Sequence, residues 1–336
     1  MSLLVSAGCG GFGIPAALSA GSDITSGPTL TKETWNDSIV QTVAEEVTVA
    51  PPLRVMSFNM RVRTPFDLFN GWAFRRGLVS HAIGNFDADI VGTQEALMNQ
   101  LDEVHADLPH YDVVAAGRDD GKENGETVGI LYRADRFELV DSGHFWLSDT
   151  PDDVASRSWG NMFNRMVTWA HLRDLEHDAQ QEIFVFNTHL DVFSRKARHE
   201  SAHLLHRKIQ QLAGDLPVIA TGDFNASEGA STYQLLVQAE GDGRRYLRDA
   251  HRYVHPTPGE DDGTMHKFNG GTGGERIDWI LACRQLTPVA AAIDHTHSGR
   301  RYPSDHFPVS AVLLYTGQPT LDPTITAEQE PTGGGA

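Results

Sequence analysis

A chain of 336 residues with 40% hydrophobic content has room for one large α/β domain or two small ones with a sizeable core. Its formal net charge of −18 gives a surface that repels polyanions, which argues against non-specific nucleic-acid binding through a basic face. The sequence contains no apolar run of about 18 residues, so it predicts no transmembrane span.

The chain divides into three predicted regions. Residues 1–50 form a flexible N-terminal segment, residues 53–316 the folded domain, and residues 317–336 a disordered tail rich in Pro, Thr and Gly. Residues 1–30 contain no Lys or Arg, which disfavours a secretory signal, although Ser6–Cys9 has some likeness to a lipidation box. We therefore expect a cytoplasmic protein, with export or lipid anchoring through the N-terminal segment as alternatives.

The folded domain shows more strand patterns than helix patterns. In chain order we predict strand Leu53–Phe58, helix Trp72–Phe86, strand Asp89–Thr93, helix Leu97–Leu108, strands Tyr111–Ala115, Val128–Tyr132, Phe137–Leu147, Met166–Leu172 and Ile183–Asn187, helix Arg195–Ala213, strand Val218–Ala220, helix Ser231–Ala239, and strands Arg276–Ala282 and Phe307–Tyr315. Strands and helices do not alternate strictly. The pattern therefore predicts an α/β or α+β sandwich of mixed sheets rather than a doubly wound parallel sheet.

Polar residues stand next to the ends of these apolar strands again and again. Any one of them is as compatible with a capped turn or a surface carboxylate as with a functional site. Because a sheet brings its strand ends together, the whole set predicts a shared cleft. The clusters are Asn59, Gln94–Glu95, Asn187–His189, Asp223–Asn225, Asp278 and Asp305–His306.

The most informative cluster is Asp223-Phe224-Asn225, directly after the buried strand Val218–Ala220. Asp223 can hold a water, a proton or a metal, and Asn225 can donate to an anionic oxygen without adding charge. Taken alone, the pair is more typical of an Asx-type turn after a strand. The other clusters favour a functional site.

These clusters supply carboxylates, carboxamides and imidazoles, and they contain no Cys. Oxygen ligands of this kind favour a hard divalent cation such as Mg²⁺ or Mn²⁺, which neutralises phosphate oxygens and a leaving oxygen. A His beside a carboxylate can be held in one tautomer and share a proton. The inventory therefore favours hydrolysis of a phosphate ester by in-line attack of water.

In its motifs and their order, the chain resembles the endonuclease/exonuclease/phosphatase superfamily, which has the deoxyribonuclease I-like fold. T-G-D-F-N at 221–225 and S-D-H-F-P at 304–308 are specific in combination. Residues 117–121 and 146–151 are further similar to a bacterial subgroup near the deadenylase-like branch. The motifs that carry the resemblance are Ser57–Asn59, Thr93–Glu95, Asn187–Asp191, Thr221–Asn225, Arg276–Ile280 and Ser304–Val309.

The resemblance implies a four-layered sandwich, in which two mixed β-sheets lie face to face and helices cover their outer sides. It implies that Asn59, Glu95 and Asp305 hold the Mg²⁺ or Mn²⁺ ion. Asp223 would orient or deprotonate the attacking water, and Asn225 would bind the phosphoryl oxygen.

The resemblance also implies roles for the remaining polar residues. His306, paired with Asp278, would contact the phosphate, and His189 would stabilise the phosphate or assist the leaving group. Glu126 matches a position that supports this histidine. Arg118 is predicted to contact a substrate phosphate or another part of the substrate pocket.

The predicted function is a divalent-metal-dependent phosphoesterase acting on a small phosphate mono- or diester, since the acidic surface disfavours a polyanion. A nuclease acting on DNA or RNA is the first alternative. A non-catalytic binding protein on the same fold is a remote one, because every motif carboxylate and both histidines are present. We expect a monomer whose partner is its phosphate-ester substrate.

Overall fold

The computed structural model describes residues 24–25, 51–237 and 247–316. The predicted segments 1–50 and 317–336 lie outside these ranges, apart from strand β1 (Ile24–Thr25), which pairs antiparallel with β13 (His297–Ser298). The division of the chain into three regions therefore stays a prediction. Among the helices in these ranges, none has the length and apolarity needed to cross a bilayer.

Two six-stranded mixed sheets form the body of the fold. The first sheet contains, in spatial order, β12 (Leu286–Ile293), β14 (Val309–Tyr315), β2 (Leu53–Asn59), β3 (Ile90–Gln94), β5 (Ile130–Arg133) and β4 (Tyr111–Val114). The second contains β10 (Arg248–Asp249), β11 (Asp278–Ala282), β9 (Val218–Asp223), β8 (Glu182–His189), β7 (Met166–Asp174) and β6 (Phe137–Trp146). Each sheet has a parallel pair, β2–β3 or β8–β9, between antiparallel neighbours.

Alternate residues of β2 point to two different cores, as the period of two of a strand requires. Leu53 and Val55 join the cluster that includes residues of both sheets, whereas Met56 and Phe58 join a cluster with two helices. Those helices are α1 (Trp72–Phe86) and α2 (Met98–Asp107).

The second sheet packs against another group of helices. Helix α3 (Arg195–Ala213) contributes Leu205 and Ile209 to the larger core, and α4 (Ser231–Val237) contributes Leu236. A short helix α5 (Ala250–Val254) and a 3₁₀ helix at Pro65–Asn70 complete the described helices. The predicted four-layered sandwich is confirmed: helices cover two sheets that face each other.

The two sheets approach each other closely at Gly92 on β3. A Cβ atom there would lie 2.0 Å from Thr221 Oγ1 and 2.8 Å from Asn187 Oδ1, so only glycine fits without moving one sheet. Beside it, Asn187 Oδ1 accepts hydrogen bonds from Gln94 Nε2 at 2.7 Å and Thr221 Oγ1 at 3.1 Å. Asn187 Nδ2 donates to the carbonyl oxygens of Thr93 and Gly129, both at 2.8 Å. A buried polar network therefore fixes the sheets relative to each other just below their strand ends.

Candidate active site

Three neighbouring strands of the second sheet place polar side chains side by side. Asp223, the last residue of β9, is in register with His189 on parallel β8 and with Asp278 on antiparallel β11. All three are buried, with exposed fractions of 1%, 6% and 0%. The sequence-predicted residues of this sheet therefore meet in one row.

The first sheet places its polar residues opposite this row. Asn59 ends β2 and Glu95 directly follows β3, while Asp305 and His306 precede β14, which pairs antiparallel with β2. Asn59 Nδ2 donates to Glu95 Oε1 and to Asp223 Oδ2, both at 3.0 Å. This amide connects the carboxylates of the two sheets.

The backbone turns sharply at two of the predicted residues. Glu95 and Asn225 adopt left-handed conformations with φ of 64° and 47°. Such conformations are uncommon outside glycine and are concentrated at functional sites. Asn225 Nδ2 donates to Leu190 O at 3.1 Å, which holds the carboxamide beside the end of β8 and leaves its second N–H hydrogen for another acceptor.

The two oxygens of Asp223 have different surroundings. Oδ1 accepts the Asn225 backbone N–H at 2.9 Å, so the Asx-type turn considered from the sequence is present. Oδ2 faces Asn59 Nδ2 and the imidazoles of His189 and His306, whose Nε2 atoms lie at 3.5 and 4.0 Å. The turn fixes one oxygen of Asp223 and leaves the other for chemistry.

Asp278 holds His306 in place from behind. His306 Nδ1 lies 2.9 Å from Asp278 Oδ2, while Asp278 Oδ1 is buried without a hydrogen-bond partner among the described residues. Burial by itself favours the neutral imidazole, but the carboxylates of Asp278, Asp223 and Asp305 raise the pKa of His306 well above 6.5. His306 therefore favours the cationic form.

His189 is shifted the other way. Burial, followed by the positive charges of Arg165, Arg118 and His306, lowers the pKa of His189 well below 6.5. Between the two imidazoles, burial and then repulsion from Asp278 raise the pKa of Asp223 to about 7. The site thus combines a neutral imidazole, a cationic imidazole and a carboxyl group that can exchange a proton near neutral pH.

The acidic residues fit a hard divalent cation. Glu95, His189 and Asp223 bring ligand atoms within 4.8 Å of one another, and so do Asp223, Asp278 and His306. Burial raises the pKa of Asp305. The cationic His306 opposes this effect, whereas repulsion from the carboxylate of Glu95 adds to it. Buried carboxylates that repel each other are typical of a site built for a cation.

The guanidinium of Arg61 lies between the carboxylates of Glu95 and Asp305. Its Nη1 atom lies 3.8 Å from Glu95 Oε2 and 3.7 Å from Asp305 Oδ2, between two of the three predicted metal ligands. The third, Asn59, turns its nitrogen to the carboxylates and accepts the Arg61 backbone N–H at its oxygen, at 3.0 Å. The three ligand assignments stay predictions, and no strand-end pattern marked Arg61.

Arg118 and Glu126 form a pair of their own. Arg118 donates from Nη1 to Glu126 Oε2 at 2.6 Å and from Nη2 to Glu126 Oε1 at 3.0 Å. Both line a small cavity that also reaches His189. The structure brings them to the predicted region, but Glu126 binds Arg118, and its predicted support of His189 stays a prediction.

Arg165 was missed by reasoning from the sequence. It directly precedes β7, is 4% exposed, and lines the same small cavity as Arg118 and His189. The strand-end clusters did not include it, because a single arginine before an apolar strand is equally typical of a surface residue.

The chain matches a known protein family over most of its described residues. The sequence profile of the Endonuclease/Exonuclease/phosphatase family matches residues 56–306. The chain belongs to this family. Members of the Endonuclease/Exonuclease/phosphatase family are hydrolases that act on phosphate esters, and the predicted family and enzyme class are confirmed at that level.

Solved structures of the family superpose over most of the chain. An endonuclease/exonuclease/phosphatase from Bacteroides vulgatus is 33% identical with a TM-score of 0.72, covering 79% of this chain and 99% of that one. A Bacteroides thetaiotaomicron protein described as a mannosyl-6-phosphatase is 33% identical with a TM-score of 0.69, covering 78% and 100%. The human Nocturnin catalytic domain, 20% identical with a TM-score of 0.62, covers 79% and 94% and shows the fold alone.

Two sequence relatives are longer than this chain. An uncharacterized mimivirus protein is 22% identical over 61% of this chain, and the Drosophila melanogaster protein angel is 28% identical over 34% of it. The matches span only 35% and 31% of those relatives.

Proposed function

We propose that this protein is a divalent-metal-dependent phosphoesterase that hydrolyses a small phosphate ester, with Mg²⁺ as its metal and Mn²⁺ as a substitute. The observation that carries the proposal is the arrangement around Asp223 Oδ2. A neutral His189 and a cationic His306 face this one oxygen, and Asn59 connects it to Glu95.

In this proposal each residue has a defined task at the phosphorus centre. Asp223 Oδ2 accepts the proton of the attacking water, which a pKa of about 7 allows near neutral pH. His306 and the free N–H of Asn225 donate to non-bridging oxygens and stabilise the charge that develops in line. His189, uncharged, donates a hydrogen bond to the phosphoryl or leaving oxygen.

Glu95, Asp305 and Asn59 would hold the metal, with Asn59 after rotation of its carboxamide. When bound, a divalent ion neutralises phosphate oxygens and stabilises the leaving oxygen. His306, held by Asp278 in one orientation, keeps its proton on Nε2 for the substrate.

The favoured substrate is a small phosphate ester rather than a nucleic acid. The net charge of −18 repels polyanions. The Bacteroides thetaiotaomicron relative, aligned over 100% of its length at 33% identity, is described as a phosphatase of a mannosyl 6-phosphate. These two observations support a phosphorylated sugar or a similar small monoester.

A substrate panel tests the proposal. Purified protein would be assayed with and without Mg²⁺ on sugar phosphates, nucleotides, inositol phosphates, bis(4-nitrophenyl) phosphate, DNA and RNA. We expect metal-dependent release of phosphate from small esters, with little dependence on salt. Preferred cleavage of nucleic acid with a steep fall in rate as salt rises would favour the nuclease instead. Absence of activity on every ester would contradict the proposal.

A further inference from the structure

Arg165 is a buried cation whose donors are not satisfied. Its Nε and Nη1 atoms are buried and have no hydrogen-bond partner among the described residues. Two other deeply buried arginines are fully engaged: Arg136 pairs with Asp174 and Asp89, and Arg276 with Asp249 and Glu228. A guanidinium removed from water without partners is costly, so its presence calls for an anion that binds to it.

The unpaired guanidinium lies beside the reacting centre. Arg165 lines the small cavity shared by Arg118, Glu126 and His189. Its positive charge adds to the effect of burial in lowering the pKa of His189. Burial lowers the pKa of Arg165 itself, and the carboxylates of Glu126 and Asp223 oppose that shift. Arg165 is therefore within electrostatic reach of both residues that flank the proposed phosphorus position.

The charges around this cavity do not balance. Arg118 and Arg165 lie on the same aromatic ring, with their guanidinium carbons 5.2 and 5.7 Å from the centroid of Phe163. The carboxylate of Glu126 is already bound through both oxygens by Arg118. Within the described part of the chain, one positive charge next to His189 is thus left without a bound counter-charge, which suits an anionic group of the substrate.

We propose that Arg165 binds a non-bridging oxygen of the substrate's phosphoryl group and thereby makes the site selective for phosphate monoesters over diesters. A monoester carries close to two negative charges near neutral pH, whereas a diester carries one. The positive charges of His306 and of a bound metal are already shared with the carboxylates of Asp278, Glu95 and Asp305, so Arg165 would supply the further positive charge that a dianionic monoester needs. This inference rests on the proposed phosphoesterase function.

The kinetic test compares two substrates that share a leaving group, 4-nitrophenyl phosphate and bis(4-nitrophenyl) phosphate. In Arg165→Met we expect kcat/KM for the monoester to fall about 100-fold, as for loss of one preorganised donor, while the diester changes little. Arg165→Lys keeps the charge and should lose less. Arg173→Met, at the far end of β7 and paired with surface carboxylates, is the matched control and should leave both rates unchanged. Equal losses on both substrates would overturn the inference.

The wild-type protein gives a test that needs no variant. We expect its kcat/KM to favour the monoester, and preference for the diester would contradict the inference even if Arg165→Met failed to fold.

A binding measurement separates this inference from the proposed function. Inorganic phosphate would be titrated calorimetrically into the Mg²⁺-loaded wild type and into Arg165→Met. We expect at least about tenfold weaker binding to the variant. If the wild type hydrolyses no ester yet binds phosphate through Arg165, the proposed function fails and the anion site stands. If it hydrolyses monoesters while Arg165→Met keeps its phosphate affinity, the anion site fails and the function stands.

Discussion

His189 and His306 present their Nε2 atoms to the same carboxylate oxygen, Asp223 Oδ2, at 3.5 and 4.0 Å. Their pKa values are nevertheless shifted in opposite directions. Burial lowers the pKa of both imidazoles, but Asp278 behind His306 stabilises the cation there, while Arg165 and Arg118 near His189 add to the effect of burial. Two chemically identical side chains therefore favour different protonation states, because the charges around them differ.

The first prediction concerns the central carboxylate and the cationic imidazole. Asp223→Asn and His306→Ala should each lower kcat by about 10²- to 10⁴-fold, because the first removes the proton acceptor and the second a charged donor. Steady-state kinetics on the best small ester would measure the loss. Asp141→Asn and His105→Ala, which change exposed residues outside the site, are the matched controls. A near-normal rate in either site variant, with circular dichroism unchanged, would remove that residue from the mechanism.

The second prediction concerns the metal. Removing divalent ions with a chelator should abolish hydrolysis, and adding Mg²⁺ should restore it, since the carboxylates at the strand ends need a cation to act on phosphate. Glu95→Gln removes one negative charge and should raise the Mg²⁺ concentration for half-maximal activity by about tenfold or more. Glu138→Gln, on a side chain that is 55% exposed, should not. Full activity after exhaustive chelation would exclude the metal role.

The third prediction concerns pH and stability in the metal-free protein. The pKa of Asp223 in the folded protein is about 7, above the ordinary value of 3.8. The folded chain therefore binds the proton of this carboxyl group more tightly than the unfolded chain does. The resulting stability is fully present below pH 4 and is lost as pH rises through 7. Urea unfolding should show this fall, and Asp223→Asn should reduce it by about 1–3 kcal/mol. An identical pH dependence in the variant would show that Asp223 ionises normally.

The fourth prediction concerns the contact between the sheets. Gly92→Ala would bring a methyl group within 2.0 Å of Thr221 Oγ1 and should destabilise the fold by about 1–3 kcal/mol or more. The matched control is Gly77→Ala in the middle of α1, where, apart from the neighbouring residues and the backbone of the helix itself, no described atom lies within 4 Å of the added Cβ. That change should stabilise by about 0.5–1 kcal/mol, because alanine is the better helix former. Thermal unfolding of both variants measures the difference, and equal melting temperatures would contradict the close packing.

Most of the fold was predictable because its strands are buried and apolar. Helices Trp72–Phe86 and Arg195–Ala213 were predicted with their observed ends. Strand β12 was missed because Pro288 interrupts it, and a proline argues against a strand. The structure resolves this by placing β12 at the edge of its sheet, with an irregularity in register between Pro288 and Ala290. Position within a sheet, which decides whether proline is tolerated, is not visible in a single sequence.

The site was predictable where a residue follows a buried strand, as Asp223 and Glu95 do. Arg165 was not, since nothing local distinguishes it from the many arginines that form surface ion pairs. Its significance comes from the lack, in the described ranges, of a hydrogen-bond partner for two of its buried donors, and a missing contact has no sequence signature. The Asp223–Asn225 pair was ambiguous for a different reason: the turn uses Asp223 Oδ1, whereas the predicted catalytic role uses Oδ2, so the observed turn does not exclude the role, which stays a prediction.

The pairing of β14 with β2 determines when the first sheet can be completed during synthesis of the chain. Among the strands of the two large sheets, β2 leaves the ribosome first, whereas β14, one of its two neighbours in the sheet, is made last. A nascent chain that already contains Asn59, Glu95 and Asp223 still lacks Asp305 and His306. Its first sheet remains open along one side of β2 until residue 315 has emerged. Closure of the first sheet and completion of the predicted site therefore both depend on the last-made strand of the two large sheets and the residues directly before it.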